Sequence, residues 1–144
     1  MSRTATAREI IIDIPSLPPS ILLPNRKCHW ARKHRAAQEY SQTVKLCAID
    51  ARNRCGDWPT LPRATVQIIV TYPFVLGRRK IPDPDNLMAA LKPAIDALTA
   101  RDRNNGVTGA GIIEDDGPEH VTWLPLLIGR DERESVRIIV REVL

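Results

Sequence analysis

The stretch from His29 to Arg54 contains neither proline nor glycine, although prolines crowd the segments on both sides of it. Proline and glycine interrupt helices and strands, so this stretch is free to form one long element. Small and apolar residues recur within it at spacings of three and four, as on one face of an amphipathic helix: Ala37, Tyr40, Val44, Cys47 and Ala51. The sequence therefore predicts a long helix over 29–54.

Four segments alternate apolar and polar side chains, which is typical of β-strands: 9–14, 64–74, 121–128 and 135–143. In the second segment Val66, Ile68, Val70, Tyr72 and Phe74 fall on one face. Pro125 cannot donate a backbone hydrogen bond, so the third strand is expected at an edge or with a bulge. A turn at 129–132 joins it to the last strand.

A second helix is predicted from Asp83 or Asp85 to Ala100, with Leu87, Leu91, Ile95 and Leu98 facing inward. Asp83 is a candidate N-cap, and Pro84 suits the first helical turn. Pro93 removes a hydrogen bond and crowds the preceding turn, so we expect a kink or break there. A short apolar element follows at 110–113.

The predicted order is β-α-β-α-(β)-β-β, which indicates an α+β fold with a mixed sheet packed against two main helices. With 144 residues, 43% hydrophobic and 26% charged, the chain suits one domain over 1–144. It has no membrane-length apolar run and no signal-peptide core, so we expect a cytoplasmic protein without membrane contact. The three cysteines form no paired motif and are expected to be reduced: Cys28, Cys47 and Cys55.

Positive charge is concentrated in two clusters within a chain of net charge +4. The first comprises Arg26, Lys27, Arg32, Lys33 and Arg35, and the second comprises Arg78, Arg79 and Lys80. Such clusters favour a polyanionic partner, since each neutralised phosphate releases counterions, although either could be only a solvated face. Trp30 beside the first cluster could stack on a base or anchor the core.

Asp83 and Asp85 lie two residues apart, and Asp115 and Asp116 end the element at 110–113. Carboxylates are the ligands that Mg²⁺ and Mn²⁺ prefer, and a bound cation can orient water for attack on a phosphodiester. Each pair has an ordinary alternative, because the first could cap a helix and the second could form a turn.

Lys92 follows Asp85 by seven residues, which is about two helical turns. On an unbroken helix Lys92, Asp85 and Asp96 would share one face, and the lysine could stabilise charge on a phosphate. Alternatively, Lys92 and Asp96 form only a surface ion pair, the interpretation we prefer for Asp96.

The segments "DPDNLMAALKPAIDAL" and "GIIEDDGPEHV", with "NRKCHWARKHR" upstream, together resemble the RusA-type Holliday-junction resolvases, especially their phage-encoded relatives. The resemblance covers roughly residues 20–125. It implies a divalent-metal endonuclease that acts on branched DNA as a homodimer.

Matched to that family's pattern, Asp83, Asp85 and Asp116 are the implied metal ligands, and Asp115 is a neighbour that shares the role. Lys92 is the implied catalytic lysine, although extra residues separate it from "DN". Asn25 and His29 match the N-terminal box. The expected DNA-contacting set is Arg78, Arg79, Lys80, Asn25, Lys27, His29, Arg32 and Lys33.

The hypothesis is thus a Mg²⁺- or Mn²⁺-dependent, structure-selective endonuclease for four-way DNA junctions. Two alternatives stay open. One is a protein that binds branched DNA without cutting it. The other is a nucleotide-sugar transferase that uses an Asp-x-Asp metal motif, although the chain lacks the repeated strand and helix unit expected of a nucleotide site.

Overall fold

A computed structural model of the chain describes residues 6–100 and 109–144. Its elements are β1 (Glu9–Ile14), α1 (Trp30–Cys55), β2 (Ala64–Pro73), α2 (Pro84–Ala90), α3 (Lys92–Asp96), β3 (Val121–Trp123), β4 (Leu127–Asp131) and β5 (Ser135–Glu142). A single 3₁₀ turn, Ser20–Leu22, precedes α1. The α+β class and the mixed sheet are confirmed, and the short element predicted at 110–113 forms only isolated bridges through Ile113.

The sheet is mixed because its five strands meet in two different ways. β5 lies between β1 and β2 and is antiparallel to both. β3 and β4 run parallel to β2 along its other side, β3 beside residues 64–66 and β4 beside residues 69–73. Pro125 lies between these two short strands, so the segment predicted as one strand over 121–128 is interrupted at an edge of the sheet, as its proline suggests.

One face of the sheet forms the core together with the helices. Alternate residues of β1, β2 and β5 point to this face and are buried, including Ile12, Val70 and Ile138. α1 contributes Tyr40, Val44 and Ala48 to the same cluster. On the opposite face Arg137 donates two hydrogen bonds to Asp13, its partner in the neighbouring strand, at 2.7 and 3.3 Å.

The second predicted helix is divided in two, at the place where proline disfavours a continuous helix. α2 ends at Ala90 and α3 begins at Lys92, with Pro93 in the first turn of α3, where its missing N–H costs little. The four predicted inward residues are all buried: Leu87, Leu91, Ile95 and Leu98. The predicted end at Ala100 is wrong, because α3 stops at Asp96 and Thr99 and Ala100 instead approach the segment at 110–113.

The second predicted strand, 64–74, is one residue too long at its end. The side chain of Phe74 is 60% exposed, because β2 ends at Pro73 and the chain turns away from the core. None of the helices in the part of the chain that the structure describes combines the length and apolar character that a membrane span requires.

Candidate functional site

The segment 109–114 carries Asp115 and Asp116 to the helices, and backbone hydrogen bonds fix its course. The N–H of Ala110 donates to the carbonyl of Ala97 at 2.7 Å, and the N–H of Ile112 donates to that of Leu98 at 2.9 Å. Gly109 begins this segment so close to the end of α3 that an added Cβ would lie 2.2 Å from the carbonyl oxygen of Thr99. Only glycine fits such a close approach without a backbone shift.

Side chains from the end of α1 and the loop that follows hold the other side of this segment. Arg52, Thr60 and Trp58 donate to the carbonyls of Ala110, Gly111 and Ile112, respectively, at 2.9, 3.0 and 3.2 Å. These bonds satisfy backbone acceptors that would otherwise be costly to bury. The position of the 115–116 loop is therefore set by tertiary contacts on both sides.

Lys92 joins that loop to the helices. Its Nζ lies 2.5 Å from Oδ2 of Asp116 and 3.0 Å from Oδ1 of Asp96. The side chain of Asp116 is only 13% exposed, whereas that of Lys92 is 51% exposed. Lys92 therefore forms the ion pair with Asp96 that the sequence suggested, but it also neutralises a largely buried carboxylate 24 residues further along the chain.

The two aspartates also determine how Lys92 titrates. Burial by itself lowers the pKa of Lys92, but the hydrogen bonds and negative charges of Asp116 and Asp96 outweigh it and raise the pKa above its ordinary value of 10.5. The lysine is thus a fixed cation at neutral pH. Such a group can neutralise charge that develops on a nearby phosphate, but it cannot act there as a general base.

Asp83 and Asp85 lie at the start of α2, and both are exposed. Asp83 occupies the N-cap position, but its side chain makes no capping hydrogen bond. Asp85 lies in the first turn, where its negative charge complements the helix dipole. Asp83 therefore occupies the predicted N-cap position, but its carboxylate does not cap the helix by a hydrogen bond.

The chemistry of these donors suits a hard divalent cation, but their arrangement is incomplete. Carboxylate oxygens are the ligands that Mg²⁺ and Mn²⁺ prefer. Among residues 6–100 and 109–144, however, no three His, Cys, Asp or Glu side chains are grouped as a possible metal site. Asp83, Asp85 and Asp116 are all among the described residues, and their roles as ligands of one cation stay a prediction.

The second basic cluster forms an exposed turn between β2 and α2. Gly77 adopts a positive φ of 63°, and the N–H of Arg79 donates to the carbonyl of Leu76 at 3.1 Å. Arg79 also lies 3.7 Å from the carboxylate of Glu134. Arg78 and Lys80 make no ion pair within the described ranges and are exposed. These two residues therefore carry most of the net charge of this turn.

The first basic cluster lies at and before the start of α1, and one of its predicted DNA contacts has a structural role. His29 is the N-cap of α1, and its Nδ1 accepts a hydrogen bond from the N–H of Ala31 at 3.3 Å. Trp30 stacks near the His29 ring with centroids 6.0 Å apart, and its side chain is 74% exposed. Trp30 is thus not a core anchor. Four other predicted contacts are exposed or half-buried around it: Asn25, Lys27, Arg32 and Lys33.

A groove of about 830 Å³ runs along the surface where one face of α1 meets α2 and α3. Trp30, Lys33 and Lys45 line its α1 side, and Lys92 and Asp96 line the opposite side. The groove therefore brings part of the first basic cluster to the cluster of Lys92, Asp96 and Asp116, which we call the Lys92 cluster. This convergence joins sequence features that are far apart in the chain.

Sequence reasoning missed two contributors to this geometry. Lys45 and the polar residues near it had no motif to mark them, although their helical spacing from Trp30 and Lys33 places them on one face. Arg52, which supports the 109–114 segment, gave no local signal because its acceptor lies 58 residues away.

Comparison with known proteins adds no relative from which a function could be carried over. No protein-family model matches the chain, and no curated protein matches it significantly.

Proposed function

We propose that this protein is a divalent-metal-dependent, structure-selective endonuclease that hydrolyses phosphodiesters in branched DNA, in the manner of the RusA-type Holliday-junction resolvases that its motifs resemble. It would work in the cytoplasm as a homodimer, because two symmetrical cuts across a four-way junction need two sites related by a two-fold axis. Recombination, repair and phage DNA processing supply such substrates.

The contact between Lys92 and Asp116 is the observation that carries this proposal. It brings the Asp115-Asp116 loop against the helical pair that begins with Asp83 and Asp85. The motif pattern requires these distant segments to meet, and this contact agrees with that requirement. The exposed basic turn at 78–80 lies directly before this helical pair in the chain.

Each group then has a role that follows from its chemistry. Arg78, Lys80 and, more weakly, Arg79 would hold the DNA backbone by charge. Lys92 would neutralise negative charge on the phosphate that is cut. Asp83, Asp85 and Asp116, with Asp115 beside them, would hold Mg²⁺ or Mn²⁺, which when bound supplies Lewis acidity and an activated water.

The second candidate is a protein that binds branched DNA without cutting it. The specific observation in its favour is that the three aspartates are not grouped as ligands in the described structure. Both candidates predict DNA binding through the same basic groups. Only the endonuclease requires the carboxylates.

Cleavage of a labelled four-way junction in Mg²⁺ or Mn²⁺ distinguishes the two. We expect the wild-type protein to cut the junction, and Asp83→Asn to bind it with similar affinity but to lose cleavage by at least about a hundredfold, because one ligand is lost. Asp57→Asn is the matched control, since Asp57 is an exposed aspartate outside this site. Titration calorimetry with Mn²⁺ alone should show binding that Asp83→Asn weakens and Asp57→Asn leaves unchanged.

Binding without cleavage in either metal, by every variant, would support the second candidate. Failure to bind any branched DNA would reject both and revive the nucleotide-sugar transferase alternative. Light scattering in solution measures the mass of the particle, and a monomer at cleavage concentrations would contradict the homodimer.

A further inference from the structure

We infer that the groove between α1 and the α2/α3 pair binds an unpaired segment of DNA, with Trp30 as the platform for one base. This inference rests on the proposed function, because it specifies which part of a branched substrate the protein holds. Its evidence is independent of the carboxylates.

The shape of the groove favours a single strand. α1 and α3 pack directly against each other, so the space between them is a shallow channel along helix surfaces. Helices in contact have axes only about 8–10 Å apart, which leaves no room for a duplex between them. The volume of about 830 Å³ is that of a site for a molecule of a few nucleotides or less.

The residues on the α1 side of the groove follow a regular helical spacing. They recur every three to four positions from Trp30 to Lys45, a length of about 22 Å. Lys33 and Lys45 supply positive charge along this length, and Gln38 and Gln42 supply amide donors and acceptors between them. A flexible polyanion with flat, hydrogen-bonding side groups matches this pattern.

The floor and one end of the groove provide surfaces for bases. The floor includes three alanines, whose small side chains leave a flat apolar surface between the helices: Ala37, Ala89 and Ala97. Trp30 stands at one end with 74% of its side chain exposed, which is unusual for the residue with the most apolar surface to bury. Stacking of bases on exposed aromatic rings beside a basic groove is how many proteins hold single strands.

The charge balance agrees with a phosphate-bearing ligand. Lys33, Lys45 and Lys92 line the groove, and Asp96 is the carboxylate that opposes them. Asp96 forms an ion pair with Lys92, so its negative charge offsets that of Lys92. The positive charges of Lys33 and Lys45 therefore remain to attract the ligand. These lysines favour a polyanion, and under the proposed function that polyanion is DNA.

Fluorescence anisotropy tests this assignment with a labelled ten-nucleotide oligothymidine strand and a labelled duplex of the same length, in EDTA to prevent cleavage. We expect the single strand to bind more tightly than the duplex. Trp30→Ala should weaken single-strand binding about tenfold or more, because one stacked base is lost. Trp123→Ala is the matched control, since Trp123 is a partly exposed tryptophan at the sheet edge and should leave binding unchanged.

A second measurement checks the charge. Lys33→Gln and Lys45→Gln should each reduce the slope of log affinity against log salt by about 0.7 for the single strand. Arg63→Gln, an exposed arginine outside the groove, should leave that slope unchanged.

The outcomes separate this inference from the proposed function. Equal affinity for the single strand and the duplex, or equal effects of Trp30→Ala and Trp123→Ala, would overturn the groove assignment even if junctions are cut. Single-strand binding that depends on Trp30, in a protein that never cuts a junction, would support the groove and reject the endonuclease. An equally tight RNA strand would overturn the assignment to DNA.

Discussion

Lys92 is the single residue on which most of the site depends. It pairs with two aspartates, one of them largely buried, and its pKa is raised because their charges outweigh its own burial. A group with a raised pKa contributes stability that is complete below its unfolded value and is lost as the pH rises through its folded value. The ion pairs of Lys92 therefore support the fold at neutral pH and fail only above about pH 10.5.

Replacing Lys92 should lower both the rate of cleavage and the stability of the fold. For Lys92→Met we expect junction cleavage to fall about a hundredfold or more, because one charge-stabilising group is lost. The free energy of unfolding should fall by about 1–3 kcal/mol, because Asp116, whose side chain is only 13% exposed, keeps its negative charge but loses this ion pair. Quench-flow cleavage assays and urea unfolding measure the two effects, with Lys92→Arg as the charge-preserving control. A large loss of stability with normal cleavage would assign Lys92 to the fold alone.

Tyr40, unlike Lys92, has a polar group that nothing compensates. Its hydroxyl is buried with no hydrogen-bond partner in the described part of the chain. Burial first, and then the charge of Cys47, raise its pKa well above the ordinary value of 10.0. Tyr40→Phe removes this uncompensated polar group, so we expect about 1 kcal/mol of added stability. The folded protein holds the Tyr40 proton more tightly, so wild-type stability should fall faster than that of the variant as the pH rises above 10. Urea unfolding between pH 8 and 11 tests both points, and a less stable variant would show that the hydroxyl is bonded.

The segment 109–114 shows how a short element without regular structure can position a site. Its backbone is held by the end of α3 on one side and by Arg52, Trp58 and Thr60 on the other. These bonds carry the chain toward Asp116, so the site depends on them and on the close approach that Gly109 permits.

Gly109→Ala should therefore disturb both fold and site. The new Cβ would meet backbone oxygens of Thr99 and Ala97 at 2.2 and 2.7 Å, neither of which can swing aside. We expect a loss of about 2 kcal/mol in the free energy of unfolding, typical of forced overpacking. Gly117→Ala is the matched control, because an added Cβ there meets nothing within 4 Å. Thermal unfolding of the two variants should differ clearly, and equal midpoints would contradict the packing described here.

The sequence predicted the elements whose signal is local. Alternation identified β1, β2 and β5 because only one face of each is buried, and Pro93 and Pro125 marked interruptions because proline lacks an N–H. Phe74 was misassigned since alternation does not reveal where a strand ends. The contact of Asp116 with Lys92 could be expected only from a motif resemblance, because it depends on hydrogen bonds between segments far apart in the chain. The roles of Asp83 and Asp85 as ligands stay a prediction.

For the whole molecule, the net charge of +4 matters less than where its cations lie. Arg78 and Lys80 are exposed without ion pairs among the described residues, whereas Arg79 already faces Glu134. Within this turn, the salt dependence of DNA affinity should therefore come mainly from Arg78 and Lys80.

Binding of duplex arms measured across salt concentrations tests this difference. We expect the double variant Arg78→Gln/Lys80→Gln to reduce the slope of log affinity against log salt by about 1.8, the value for two phosphate contacts. Arg79→Gln should reduce it by less than Arg78→Gln, because its charge is partly neutralised by Glu134. An equal reduction for the two single variants would mean that Arg79 leaves Glu134 when DNA binds.

The place of β5 between β1 and β2 has a consequence for synthesis of the protein. β1 is synthesised before the other described strands, yet the strand with which it pairs among the described residues is made more than a hundred residues later. Until β5 is translated, β1 lacks its strand partner, and the backbone N–H and C=O groups on one edge of β2 stay unpaired. During synthesis the chain therefore exposes two strands with unpaired edges, and such edges favour aggregation until β5 is added.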